Sequence, residues 1–292
     1  MRRRVTAVVA ALGPALVALG QEPTAPAANE RPWATVGAVA LTAQSRSGRE
    51  PWTPVASGAQ LRQGDGLRTL DRCSAEARFD GGGRVLLAES TTLTLSAARA
   101  VALGAGQADV LVPVGAALLE VAAGRARLSV AAAEGPATVR VRLRDGAVQV
   151  MAFAGKARVE GVALLEVEAG FGVTLATRGA TEPEKLLPAP LVSLPGPGAA
   201  PDHANPRFWW EDVPGAAGYT LDVCRDEACA DVADRVASFR GAPWAPEGLP
   251  LGELYWRVSA VSPSGLDGVP SRPVRFTIRS LWRKPHPRPK SS

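Results

Sequence analysis

Short runs of this chain place apolar residues at every second position. Val36, Ala38 and Ala40 do so, as do Leu93 and Leu95, then Val139, Val141 and Leu143, then Val148 and Val150. That period turns one face of an extended strand to a core and the other to water. Turn signals separate the runs: Asp80-Gly81-Gly82-Gly83, Glu134-Gly135-Pro136 and Asp145-Gly146. Arg144-Asp145-Gly146-Ala147, between two apolar runs, predicts a tight hairpin. Residues 111–121 have a composition a helix could use, but Pro113 and Gly115 interrupt them, so they are read as strands. The 30 glycines and 25 prolines fit many short strands joined by turns, and a hydrophobic content of 46% is enough for real cores. The expectation is an all-β chain.

A length of 292 residues suggests two domains. Residues 1–20 read as a signal peptide: Arg2, Arg3 and Arg4, then an apolar stretch broken at Gly13-Pro14, then Ala18 and Gly20 before a cut at Gln21. The alternative is an uncleaved inner-membrane anchor. Nothing else in the chain reads as a membrane span. Residues 21–32 form a flexible lead, 33–179 the first β-domain, 180–206 a linker with seven prolines, 207–279 a second β-domain and 280–292 a basic tail. The formal charge of +5 comes from the leader and the tail; without them bases and acids nearly balance, so no nucleic-acid footprint is expected. The abundance of Arg over Lys, beside so much Ala and Gly, is read as a genome bias rather than a site.

The first domain resembles the FecR domain. The resemblance rests on Trp52, Gly58, Leu61, the run Gly64-Asp65-Gly66-Leu67-Arg68-Thr69, then Ala75, Phe79, Gly82 and Glu89. Gly146-Ala147-Val148 and Ala169-Gly170-Phe171-Gly172-Val173 resemble its closing strands. This implies a β-solenoid-like or sandwich-like fold. Gly64, Asp65, Leu67 and Thr69 have a structural reading: Gly admits a left-handed turn, Asp bonds nearby N–H groups, and Thr suits a strand end. The second domain resembles fibronectin type III, a β-sandwich of the immunoglobulin kind. Trp209 or Trp210 would be the early-strand tryptophan, and Tyr255-Trp256-Arg257-Val258-Ser259-Ala260-Val261, with Ser264-Gly265 and Ser271, matches its last strands. Leu249 and Tyr255, six apart, match a tyrosine corner, in which the hydroxyl bonds an upstream backbone group.

Residues able to do chemistry are sparse. The two histidines, His203 and His286, fall in the linker and the tail, which removes a histidine triad or a histidine-rich metal site from either core. Asp80-Gly81-Gly82-Gly83-Arg84 lacks the Lys-Ser/Thr of a phosphate loop. Glu166 with Glu168, and Asp226 with Glu227, read as solvated pairs. Cys224 and Cys229 are expected to form a small-loop disulfide after export, while Cys73 stays free. No cofactor, metal or catalytic residue is expected.

The functional expectation is a non-enzymatic, exported protein of the bacterial envelope, periplasmic or secreted, that serves as a protein-interaction or scaffold module. Its partner would be another envelope protein or a cell-wall glycan. The alternative is a module binding peptidoglycan or another glycan. A FecR-type regulator of a sigma factor ranks third, because only three arginines precede the apolar leader.

Overall fold

The computed structural model describes residues 31–132, 134–177, 179–201, 206–245 and 248–279. The expected signal peptide, most of the flexible lead, the basic tail and both histidines lie outside them. The described chain is all-β, as the alternation predicts.

The first domain is two sheets facing each other over a core of Val, Leu and Ala, so of the two folds expected it takes the sandwich-like one. One sheet runs from Ala34–Ala40 through Ser74–Phe79, Arg84–Leu87, Ala100–Val112, Ala137–Arg144 and Ala147–Ala154 to Phe171–Ala176. The other runs from Thr53–Val55 through Ala43–Ser47, Asp65–Thr69, Thr92–Ala97, Ala100–Val112, Leu119–Ala123 and Ala126–Ala131 to Lys156–Glu160 and Leu165–Glu168. The 13-residue strand Ala100–Val112 belongs to both. Its first part pairs with Thr92–Ala97 and Leu119–Ala123, its second with Arg84–Leu87 and Ala137–Arg144. Gly104 and Gly106 lie where the strand changes sheets, and a β-carbon on Gly106 would sit 2.3 Å from the Thr91 hydroxyl. The predicted hairpin is present: Arg144 pairs with Ala147, and Asp145 and Gly146 both have positive φ, as a two-residue turn matching strand twist requires.

In the second domain a four-stranded antiparallel sheet runs Val232–Phe239, Gly218–Cys224, Gly252–Val261, Val274–Ile278. It packs against the pair Val192–Leu194 and Trp209–Trp210. Phe208, Trp210, Tyr219, Trp256 and Phe276 dominate the core between them. Phe208 meets Trp256 and Phe276 edge-on at centroid distances of 5.1 and 5.5 Å, the arrangement favoured by the ring quadrupoles.

The described part of the stretch 180–206 is not the tether its prolines suggest. Its first part extends the first domain: Ala180 pairs with Leu175, and Glu184 and Lys185 pair with Gly172 and Phe171. Its later part, Val192–Leu194, belongs to the second domain, and the Trp256 indole donates to the Pro195 carbonyl at 3.0 Å. Leu186 is buried in a small apolar cluster with Met151 and Leu266, one from each domain. Proline forbids a donor at its own position but leaves the intervening residues free to pair at sheet edges.

Candidate functional site

Successive residues on a strand point to opposite faces, so the residues between the core positions of Ser74–Phe79, Arg84–Leu87, Ala100–Val112, Ala137–Arg144 and Ala147–Ala154 form a second, outer face. The ladder sets them in lateral rows. Glu76, Leu86, Asp109, Arg140 and Met151 make one row, and Gln107, Arg142 and Gln149 make the next. This face is polar and charged, yet Glu76 and Arg140 are buried.

The second domain covers much of it. Arg140 holds Asp109 with two hydrogen bonds of 2.7 Å and donates its remaining terminal nitrogen to Asp267 of the second domain at 2.8 Å. Arg142 also donates to Asp267, as well as to Gln107, Gln149 and the Gly265 carbonyl. Asp267 is 1% exposed and receives both guanidinium groups. Nearby, Asp222 accepts from Arg235 at 2.6 and 3.0 Å and from Arg257 at 3.0 Å. Outlying contacts complete the seam: Ser74 bonds the backbone at Ala230 and Val232, Gln149 bonds the Ser264 carbonyl, and Ser264 donates to Glu184.

Burial by itself would push the Asp109 and Asp222 carboxyls up. For Asp109 the neighbouring Arg140 outweighs it, and for Asp222 Arg235 and Arg257 do, so both carboxyls lie below the ordinary range. Burial likewise opposes the charge on Arg140, but Asp109 and Asp267 raise its affinity for the proton. Beside this seam a cleft of about 640 Å³ opens between the domains. Gln107, Arg142, Gln149, Thr220 and Arg235 line it, and Arg144 and Asp145 stand at its rim on the hairpin turn. Each buried guanidinium there already faces a carboxylate, so the arrangement fixes two domains together and offers an extended polar surface.

The sequence-predicted residues lie elsewhere. Gly64 has a φ of 82°, and the Asp65 carboxylate accepts the Arg62 amide at 2.8 Å, closing the turn. Leu67 is in the core, and the Thr69 hydroxyl donates to Ala88 and accepts from Thr91. Trp52 lies across Gly66, with the Arg46 and Arg68 guanidiniums each 4.5 Å from its ring centre. Cys224 and Cys229 are disulfide-bonded, with Cα atoms 5.1 Å apart; Cys73 is free and buried.

The tyrosine corner is corrected. Leu249 is buried, but the Tyr255 hydroxyl bonds the exposed Glu253 carboxylate at 3.0 Å, not the backbone. Trp256 and Leu254 face the core, so parity turns Tyr255 outward. Tyr219 makes the bond instead: its buried hydroxyl accepts the Val213 amide at 2.8 Å, also six residues upstream, and donates to Asp212.

Sequence reasoning missed Asp109, Arg140, Arg142, Asp222 and Asp267. One signal was present. Arg140, Arg142 and Arg144 repeat at a period of two along one strand, a row of cations on a single face. Asp267, which Arg140 and Arg142 share, lies 127 residues from Arg140 and has no sequence mark.

No family model matches this chain, and no curated protein matches it. Solved structures do. A protein described as an anti-sigma factor from Parabacteroides distasonis is 15% identical with a TM-score of 0.34, over 41% of this chain and 59% of that one. This chain thus spans about three fifths of that structure's length. The extracellular domain of a hybrid two component system from B. thetaiotaomicron is 8% identical over 72% of this chain and 43% of that one, with a TM-score of 0.23. The FN1–FN3 domains of chicken CNTN1 are 14% identical over 86% and 97%, with a TM-score of 0.27. Among the described residues no helix is long and apolar enough to cross a membrane.

Proposed function

We propose that this protein is a non-catalytic, exported component of the bacterial envelope whose two β-domains act together as one rigid interaction body. The observation that carries this reading is Asp267. A single buried carboxylate of the second domain receives two arginines of the first, and Leu186 joins the same seam with apolar contact. Two modules meant to move independently would not bury opposite charges against each other, because separating them exposes unpaired ions in both. A rigid pair presents one continuous surface to a partner. The cleft between the domains, with polar side chains on both walls, is the part of that surface formed by both modules.

The FecR-like reading of the first domain and the fibronectin-like reading of the second belong to this proposal, as does export through the Arg2–Arg4 leader. The partner is another envelope protein. Affinity purification of the full-length protein from native envelope, with mass spectrometry, is expected to recover a defined protein partner. Asp267→Arg, which sets a third cation against Arg140 and Arg142, is expected to lose it. Retention of the partner by that variant would separate binding from domain docking and overturn the reading.

A second reading, glycan binding, is favoured by one observation. Trp209 is 47% exposed and pairs across its ladder with Leu194, itself 56% exposed, which leaves an aromatic face open for stacking on a sugar. Capture of the protein on purified sacculi, abolished by Trp209→Ala and unaffected by Asp267→Arg, would select it.

A further inference from the structure

The outer face of the first sheet has one more row, which the second domain leaves open. Arg78 pairs with Arg84, Arg84 with Leu111 and Leu111 with Thr138, so these four side chains run side by side across four strands. They border a cleft of about 560 Å³. Among the described residues its lining comes only from the first domain, and its volume falls in the ~300–1,000 Å³ range of small-molecule sites.

The chemistry of this cleft is lopsided. Leu111, Pro113 and Pro136 supply apolar lining. Among the described residues one acid lines the cleft, Glu76, and it is already spent. Its Oε2 accepts the Ala38 amide at 3.2 Å and two Arg78 nitrogens at 2.8 and 2.7 Å, and its Oε1 accepts Arg84 at 3.3 Å. A β-carbon on Gly37 would lie 2.1 Å from that carboxylate, so the backbone also fixes its position. Two guanidinium groups therefore share one carboxylate. Arg84 holds its share by a single long bond and its side chain is 34% exposed. Among the described residues, one positive charge of this trio is left over beside the apolar lining.

We infer that this cleft binds a small apolar carboxylate, whose chain lies on Leu111, Pro113 and Pro136 and whose carboxylate bonds Arg84. A guanidinium meets a carboxylate through two parallel N–H bonds, and Arg84 has the donors for this beyond the one given to Glu76. The Thr138 hydroxyl stands in the same row as a further donor. This inference stands apart from the scaffold reading, since the second domain contributes nothing to the cleft.

The experiment uses the full chain, with sodium decanoate as probe and decanol as its uncharged counterpart. Binding is read by calorimetry and by amide shifts of residues 78–84, 111, 112, 137 and 138. Decanoate is expected to bind and shift those amides, with decanol at least about tenfold weaker, the loss of one charge-assisted contact. Arg84→Gln should lose a similar factor for decanoate and none for decanol. Leu111→Gln should weaken both while circular dichroism stays native. No shift at those amides, equal binding of the two probes, or full decanoate affinity in Arg84→Gln would each overturn the inference. If Arg84→Gln fails to fold, the decanoate–decanol comparison on the unaltered protein still decides.

Discussion

Gly66 has no room for a side chain. An added β-carbon would come within 2.8 Å of the Trp52 ring, whose centre is 4.5 Å from each of the Arg46 and Arg68 guanidiniums. Gly66→Ala is therefore expected to cost about 1–3 kcal/mol in denaturant unfolding, the usual penalty of overpacking, and to change the Trp52 fluorescence. The two tyrosines make a sharper pair. Tyr219→Phe removes a buried hydroxyl that serves a buried amide, and should lose about 1–2 kcal/mol. Tyr255→Phe should leave stability unchanged, because its hydroxyl meets a solvated carboxylate. Equal effects from the two would reject the assignment. The spacing of six residues was legible in the sequence, but twice, at Leu249 to Tyr255 and at Val213 to Tyr219. Strand parity decides between them, and parity follows from which neighbour, Trp256, takes the core.

Among the elements, the strands were the readable part. Alternation placed Val139, Val141, Val148 and Val150 in the core, and Asp145-Gly146 in the turn, because each depends on neighbours within a few residues. The stretch 180–206 was misread because proline content speaks of backbone donors and says nothing of a lone Leu186 finding Met151 and Leu266. The small loop between Cys224 and Cys229 was legible for the opposite reason, since both partners sit in one short segment. The amides of Ala230 and Asp231, just beyond the loop, are already held by the Asp226 carboxylate within it. Reducing the disulfide should therefore cost less than the ~3 kcal/mol expected for a 15-residue loop. Unfolding with and without reductant measures this; a loss of more than that figure would mean the bond supports the sheet as well as the loop.

At the scale of the whole molecule, the seam between the domains controls behaviour. Asp267→Ala takes a carboxylate from the buried Arg140 and the half-buried Arg142 and should cost about 3–5 kcal/mol, with the domains separating in solution scattering before either sheet is lost. Acid should act on the same seam, and its direction follows from the carboxyls. The folded values of Asp109 and Asp222 are depressed, so their contribution is complete above the unfolded value of about 3.9 and fades as pH falls below it. Near-ultraviolet dichroism should stay constant from pH 7 to 5 and change only below about pH 4. A change between pH 5 and 7 would contradict this. The seam was invisible in the sequence because charge pairing over 127 residues depends on how two finished sheets meet. One consequence belongs to the strand Ala100–Val112, common to both sheets of the first domain. Fraying that begins at any outer edge must travel inward to this one ribbon, and once it detaches both layers lose their centre together. The slowest amide protons of the domain should then lie along it, exchanging at a single shared rate set by global opening rather than in two sets, one per layer.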